Sequence, residues 1–194
     1  MIHSPRKWRD GRKGASAVQI QEATVADAAA VARVHLTSWC QTYRGLIPTE
    51  TYVALSFDER HAHWATVLAA GGPECVYVAK DHDGAICGIA SGGPCRVHDL
   101  ADAAFTGELY VLHVSATAQR QGTGRALVRA VAQRLADDGM FSMLVWVLRE
   151  NGGARRFYKA LGGQFVRETT ADFMGAPTPN TAYGWADTAI LREE

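Results

Sequence analysis

The sequence predicts an α/β domain, a mixed sheet of about seven strands flanked by helices, and three observations carry that prediction. The first is a strand–turn–helix unit. Glu108–Val114 is followed by Gln119-Arg120-Gln121-Gly122-Thr123-Gly124 and then by apolar residues at helical spacing from about Thr123 to Asp138. The second is a hairpin. Cys75–Lys80 and Ala85–Ser91 are joined by Asp81-His82-Asp83-Gly84, where glycine supplies a positive φ. The third is the alternation of apolar runs between strand and helix periods. It gives the order strand, two or three helices, three strands, helix, strand, helix, two strands. The hairpin makes the sheet mixed rather than purely parallel.

Taken in order, Val18–Ala23 alternates as a first strand. Thr24 with Asp27 three residues on reads as a helix start, and Ala28, Val31, Ala32, Val34 and His35 continue the helix toward Trp39 and Tyr43. Gly45 ends it, and Pro48–Leu55 reads as a short helix or turn. Ser56-Phe57-Asp58-Glu59 is a capping box for a helix burying Trp64, Val67 and Leu68, stopped by Gly71-Gly72-Pro73. Gly92–Thr106 reads as a long loop. Met143–Leu148 is a strand, Gly152–Leu161 a helix and Gln164–Glu168 a strand. Thr169–Thr181, with two prolines, reads as a flexible loop, and Ala182–Leu191 as the last strand.

A chain of 194 residues with 47% hydrophobic content is one domain with a real core. No apolar run reaches the ~18 residues of a membrane span, and the start lacks the apolar segment of a secretory signal, so a cytoplasmic protein without membrane contact is expected. Net charge is zero but uneven. Residues 1–17 carry Arg6, Lys7, Arg9, Arg12 and Lys13 against Asp10, hence +4, which leaves −4 on the rest. We read 1–17 as a flexible basic tail and 18–194 as the domain. A mildly acidic body does not suit nucleic acid. The four cysteines, Cys40, Cys75, Cys87 and Cys95, form no C-x-x-C pair and no zinc spacing, so reduced thiols and no metal are expected.

A turn with two glycines between strand and helix is suited to an anion, because backbone approaches closely and free N–H groups point outward. A Walker loop is absent. A dinucleotide fingerprint fails because Leu127 holds the third glycine place, and Leu144 and Val145 stand where an acid is required. What remains is Q-x-x-G-x-G at Gln119, Gly122 and Gly124, five residues after Val114. It is followed by Asn151-Gly152-Gly153-Ala154-Arg155-Arg156-Phe157-Tyr158-Lys159-Ala160-Leu161-Gly162. These two strings, in this order, resemble the GCN5-related N-acetyltransferase (GNAT) family.

The resemblance implies a centrally splayed sheet and acetyl transfer from acetyl-CoA to a primary amine by direct attack in a ternary complex. It implies that the N–H groups from Arg120 to Arg125 (Arg120, Gln121, Gly122, Thr123, Gly124, Arg125) cradle the pyrophosphate with Gln119. Leu112, His113 and Val114 would pair with the pantetheine arm, and Asn151 would contact it. Tyr158 matches the general acid, and Glu108 stands where the family often places the base, with His113 as its rival. Strict alternation puts Glu108 and His113 on opposite faces unless a bulge intervenes. A strand N–H near His113 or Val114 would serve the oxyanion. Candidate acceptor residues are Trp39, Tyr43, Tyr110 and Trp185, with Asp99 a further one. The acceptor is a small-molecule amine or a protein or peptide amine, and the protein a monomer or homodimer. The alternative is a non-catalytic acyl-CoA sensor of the same fold.

Overall fold

The structure, a computed structural model, describes residues 8–9, 18–45, 56–96, 104–173 and 176–192. The rest of the basic tail, the expected turn at 48–55 and Asp99 lie outside the described residues.

The strands are β1 (Trp8–Arg9), β2 (Gln19–Glu22), β3 (Cys75–Lys80), β4 (Ile86–Pro94), β5 (Gly107–Val114), β6 (Met143–Leu148), β7 (Gln164–Phe173) and β8 (Ala176–Trp185). The helices are α1 (Ala28–Tyr43), α2 (Phe57–Ala70), α3 (Thr123–Asp137), α4 (Gly152–Ala160) and the short α5 (Ala189–Arg192). Among the described residues one sheet runs β1-β2-β3-β4-β5-β6-β8-β7. Its pairs are antiparallel except β5 with β6.

Thr24 caps a 3-10 turn, Val25–Asp27, that leads directly into α1, whose own cap is Asp27 rather than Thr24. The Thr24 N–H and hydroxyl both donate to Asp27, which also pairs with Lys80 at 3.3 Å. Helix α2 is capped by Ser56, whose hydroxyl accepts from the Glu59 N–H, and stops at Gly71 in the left-handed conformation. These two helices cover one face of the sheet through Val31, Ala32, Trp64, Val78 and Ile89. Helix α3 covers the other through Leu127, Val128, Val131 and Leu135 against Leu109, Met143 and Val145.

Three features depart from the sequence reading. Thr169–Thr181 is mostly paired backbone, with Thr169 opposite Asn180 and Phe173 opposite Ala176. Pro177 and Pro179 are tolerated there because the missing N–H is not needed. The Pro179 carbonyl accepts from the Arg149 N–H, so its backbone faces away from β7, toward the side where β6 has ended at Leu148. The last strand stops at Trp185, and residues 189–192 are helical. Strand β4 also runs on to Pro94, into the expected loop.

The decisive irregularity is in β5. Ser91 pairs with Val111 and Gly92 with Leu109, so Tyr110 is an extra residue, a β-bulge. Below it Glu108 pairs with Gly93. Above it His113 pairs with Ile89 of the α1–α2 core, while Leu109, Leu112 and Val114 pack under α3. The bulge resets the alternation and brings Glu108 and His113 to the same face. Gly92 makes it possible: a Cβ there would stand 2.5 Å from Val131 Cγ1 and 2.8 Å from the Glu108 carbonyl oxygen. Gly92→Ala is therefore expected to cost about 3 kcal/mol of stability, read as a lower denaturation midpoint in urea.

Candidate active site

Strands β5 and β6 are paired only over Gly107–Leu109 and Met143–Val145. Beyond that β5 continues to Val114 and β6 to Leu148, the two diverging around a cleft of about 950 Å³. The Ser115 N–H bonds back to Cys87, so alternation turns the backbone groups of Val114 and Leu112 away from β4 and into the opening. An amide-rich ligand can complete this edge as an added strand would.

One end of the cleft is the glycine turn. Gly122 caps α3 at φ 87°, and Arg120 also takes a positive φ, 61°, which an arginine adopts only where surroundings hold it. Left-handed residues at Arg120 and Gly122, either side of Gln121, fold the turn so that backbone N–H groups can converge on an anion, at the start of a 15-residue helix. The Gln119 side-chain amide donates to the Val114 carbonyl at 3.0 Å and braces the turn against β5. Thr123 is buried with a hydroxyl that has no hydrogen-bond partner among the described residues. A Cβ on Gly124 would press on Phe157 at 3.2 Å. Asn151 caps α4, its side-chain oxygen accepting from the Ala154 N–H. These features fit a pyrophosphate followed by an amide-bearing arm. Gln119→Ala should raise the KM for acetyl-CoA several-fold with little change in kcat, measured by steady-state thiol release.

Of the residues singled out from sequence, Trp39, Tyr43, Tyr110, Leu112, His113, Val114, Gln119, Arg120, Gly124, Asn151 and Tyr158 line the cleft. Gln121, Gly122, Thr123 and Arg125 are not among its lining residues. Gln121 is tied to the Thr117 carbonyl and Arg125 is exposed. Trp185 is a correction. It is 2% exposed, donates to the Leu161 carbonyl and packs edge-on to Tyr158, so it is core rather than acceptor wall. Glu108 is not in the wall either. Its buried carboxylate accepts from the Arg96 N–H at 3.0 Å and from the Arg96 guanidinium at 2.8 Å, and that guanidinium lies 3.7 Å over the Tyr110 ring.

Sequence reasoning missed His35, Trp146 and Arg156 in the wall. For His35 a signal existed: it lies four residues before Trp39 and eight before Tyr43, on one helix face. The buried Trp64 indole N–H donates to His35 Nδ1 at 3.1 Å, which puts the proton of the neutral ring on Nε2. The His35 and His113 rings stack with centroids 4.8 Å apart. Burial, and for His35 also the neighbouring His113, Arg60 and His63 charges, depresses both, His35 to about 3 and His113 to about 4. Both are neutral at pH 7. Tyr158 is buried, and burial together with the Tyr43 phenol pushes its pKa up.

A splayed parallel pair with a glycine turn at one end and a tyrosine on the following helix makes a cleft that can hold an anion and an extended, amide-bearing arm. The model of the acetyltransferase (GNAT) family matches residues 36–162, and the chain belongs to that family. It is 34% identical over 175 residues, 90% of this chain and 96% of the relative, to the uncharacterised N-acetyltransferase YuaI of Bacillus subtilis. Among solved structures it resembles YncA of Salmonella typhimurium with acetyl-CoA (TM-score 0.64, 20% identity, 87% of this chain and 92% of that one). It also resembles the PaiA N-acetyltransferase of Thermoplasma acidophilum with coenzyme A (TM-score 0.65, 15% identity, 87% and 99%). The chain is thus an acetyltransferase acting on an amine. No helix among the described residues is long and apolar enough to cross a membrane.

Proposed function

We propose that the protein transfers the acetyl group of acetyl-CoA to a primary amine by direct attack within a ternary complex. The observation that carries this reading is the opening between β5 and β6, with the Arg120–Gly122 turn at one end and Tyr158 in its wall. The turn holds the pyrophosphate, and Arg120 and Arg156 add positive charge beside it. The pantetheine arm pairs with the free edge at Leu112 and Val114, and one of those N–H groups faces the thioester oxygen as it gains charge.

Tyr158 gives its proton to the departing sulfur. For the base, the sequence favoured Glu108. Its oxygens are engaged by Arg96, whereas His113 lines the cleft as a neutral imidazole, so we assign proton removal to His113. An imidazole titrating near 4 cannot strip a free ammonium of pKa ~10.4, a step costing about 9 kcal/mol. It serves the amine that arrives neutral and becomes acidic as the N–C bond forms. Glu108 fixes Arg96 and, through it, Tyr110. The free cysteines suit a reducing, cytoplasmic setting.

The test is a thermal shift with acetyl-CoA followed by free-thiol release against polyamines, aminoglycosides, amino acids and short peptides. A shift with amine-dependent thiol release supports the enzyme. A shift with none favours the non-catalytic sensor, and no shift removes both.

A further inference from the structure

We propose that the acceptor half of the cleft takes a primary monoamine carried on a flat aromatic group and discriminates against diamines and polyamines. This rests on the acetyl-transfer reading and names its acceptor class.

Much of the cleft wall is built from ring faces. Helix α1 presents His35, Trp39 and Tyr43, strand β5 presents Tyr110 and His113, and strand β6 presents Trp146. Trp39 and Tyr43 lie with centroids 4.7 Å apart at 56°, and the two imidazoles stack at 4.8 Å. Flat faces meeting at an angle suit an aromatic ring, which packs edge-to-face or offset against them.

The charge pattern is equally specific. Among the described residues the charged side chains in the wall are Arg120 and Arg156, both cationic. The Glu108 carboxylate just outside it is already matched by Arg96. The same guanidinium covers the Tyr110 ring, so that ring is engaged by a cation and a second one beside it would be repelled. Burial keeps both imidazoles uncharged, and they offer a hydrogen-bond acceptor rather than a counter-ion. Among the described residues, the wall holds no anion to meet the second ammonium of a diamine. Ring-face attraction to Trp39 or Tyr43 is weaker than the desolvation cost of that charge. A monoamine attacks through its only nitrogen in the neutral form and brings no other charge.

The reaction balances without a further reactant. The amine nitrogen forms a bond to the acetyl carbon, the carbon–sulfur bond breaks, and one amine proton ends on the coenzyme thiol.

The deciding measurement is kcat/KM for benzylamine, 1,4-diaminobutane and spermidine with the full chain at saturating acetyl-CoA, read as free thiol. Benzylamine should exceed both others by about tenfold or more, the scale on which a shaped pocket discriminates. Thr42→Glu places a carboxylate in the wall on the last turn of α1. It should raise the diamine-to-benzylamine ratio several-fold. A diamine or spermidine used as well as benzylamine overturns the acceptor assignment and leaves acetyl transfer standing. No thiol release with any amine, while acetyl-CoA still raises the melting temperature, overturns acetyl transfer and this assignment with it.

Discussion

Tyr158→Phe is expected to lower kcat about 100-fold while leaving the acetyl-CoA-induced melting shift unchanged. The ring is held by its surroundings rather than by its hydroxyl. Tyr158 is 6% exposed, lies edge-on to Phe157 at 5.3 Å and edge-on to Trp185 at 6.2 Å, so phenylalanine fills the same place. What is lost is a proton donor. Burial, reinforced by the Tyr43 phenol, raises the phenol pKa, so the donor is fully protonated throughout the working pH range. A general acid contributes typically 10²–10⁴-fold. The low end applies here because a thiol of pKa ~8.5 leaves more readily than an alkoxide or amine. Because the proton is needed only as the carbon–sulfur bond breaks, kcat and kcat/KM should fall together. A kcat within threefold of the parent enzyme would remove Tyr158 from the chemistry.

The cofactor half of this site was legible in the sequence because its chemistry is local. Gly122, Gly124 and Gln119 must stand at fixed offsets to turn backbone toward a phosphate, and Asn151 must stand three residues before Ala154 to cap α4. The acceptor half is not local. His35 meets His113 only because α1 crosses β5, and His113 shares a face with Glu108 only because Tyr110 is bulged. Alternation alone separated Glu108 from His113, and no residue type announces a bulge; Gly92, the permissive residue, sits on the neighbouring strand. Trp185 misled for a related reason. An aromatic on a late strand faces the core or the cleft according to which neighbour it meets, here the Leu161 carbonyl. The prolines at 177 and 179 read as loop because their tolerance depends on β6 ending at Leu148, which is a property of the sheet.

The stacked imidazoles should also make the fold acid-labile, with the steepest loss between pH 6.5 and about 4. Each ring titrates near 6.5 in the unfolded chain, but near 3 for His35 and near 4 for His113 when folded. In that window the unfolded state binds more protons, so stability rises with pH. The contribution is fully present above 6.5 and is lost as pH falls toward the folded values. At pH 5 each ring costs about 2 kcal/mol, so the pair costs about 4, a large share of a typical stability of ~5–15 kcal/mol. The two rings titrate as a unit, since a proton on one opposes a proton on the other at 4.8 Å. The comparison is urea denaturation at pH 7 and pH 5 for the parent and for His35→Gln/His113→Gln. Glutamine at 35 keeps an acceptor within reach of the Trp64 indole N–H. The double variant starts from lower stability at pH 7 but should lose at least about 3 kcal/mol less on acidification. An equal loss in both proteins would show that the two rings take up protons in the fold as readily as in the unfolded chain, and would overturn the reading of a pair held neutral at pH 5.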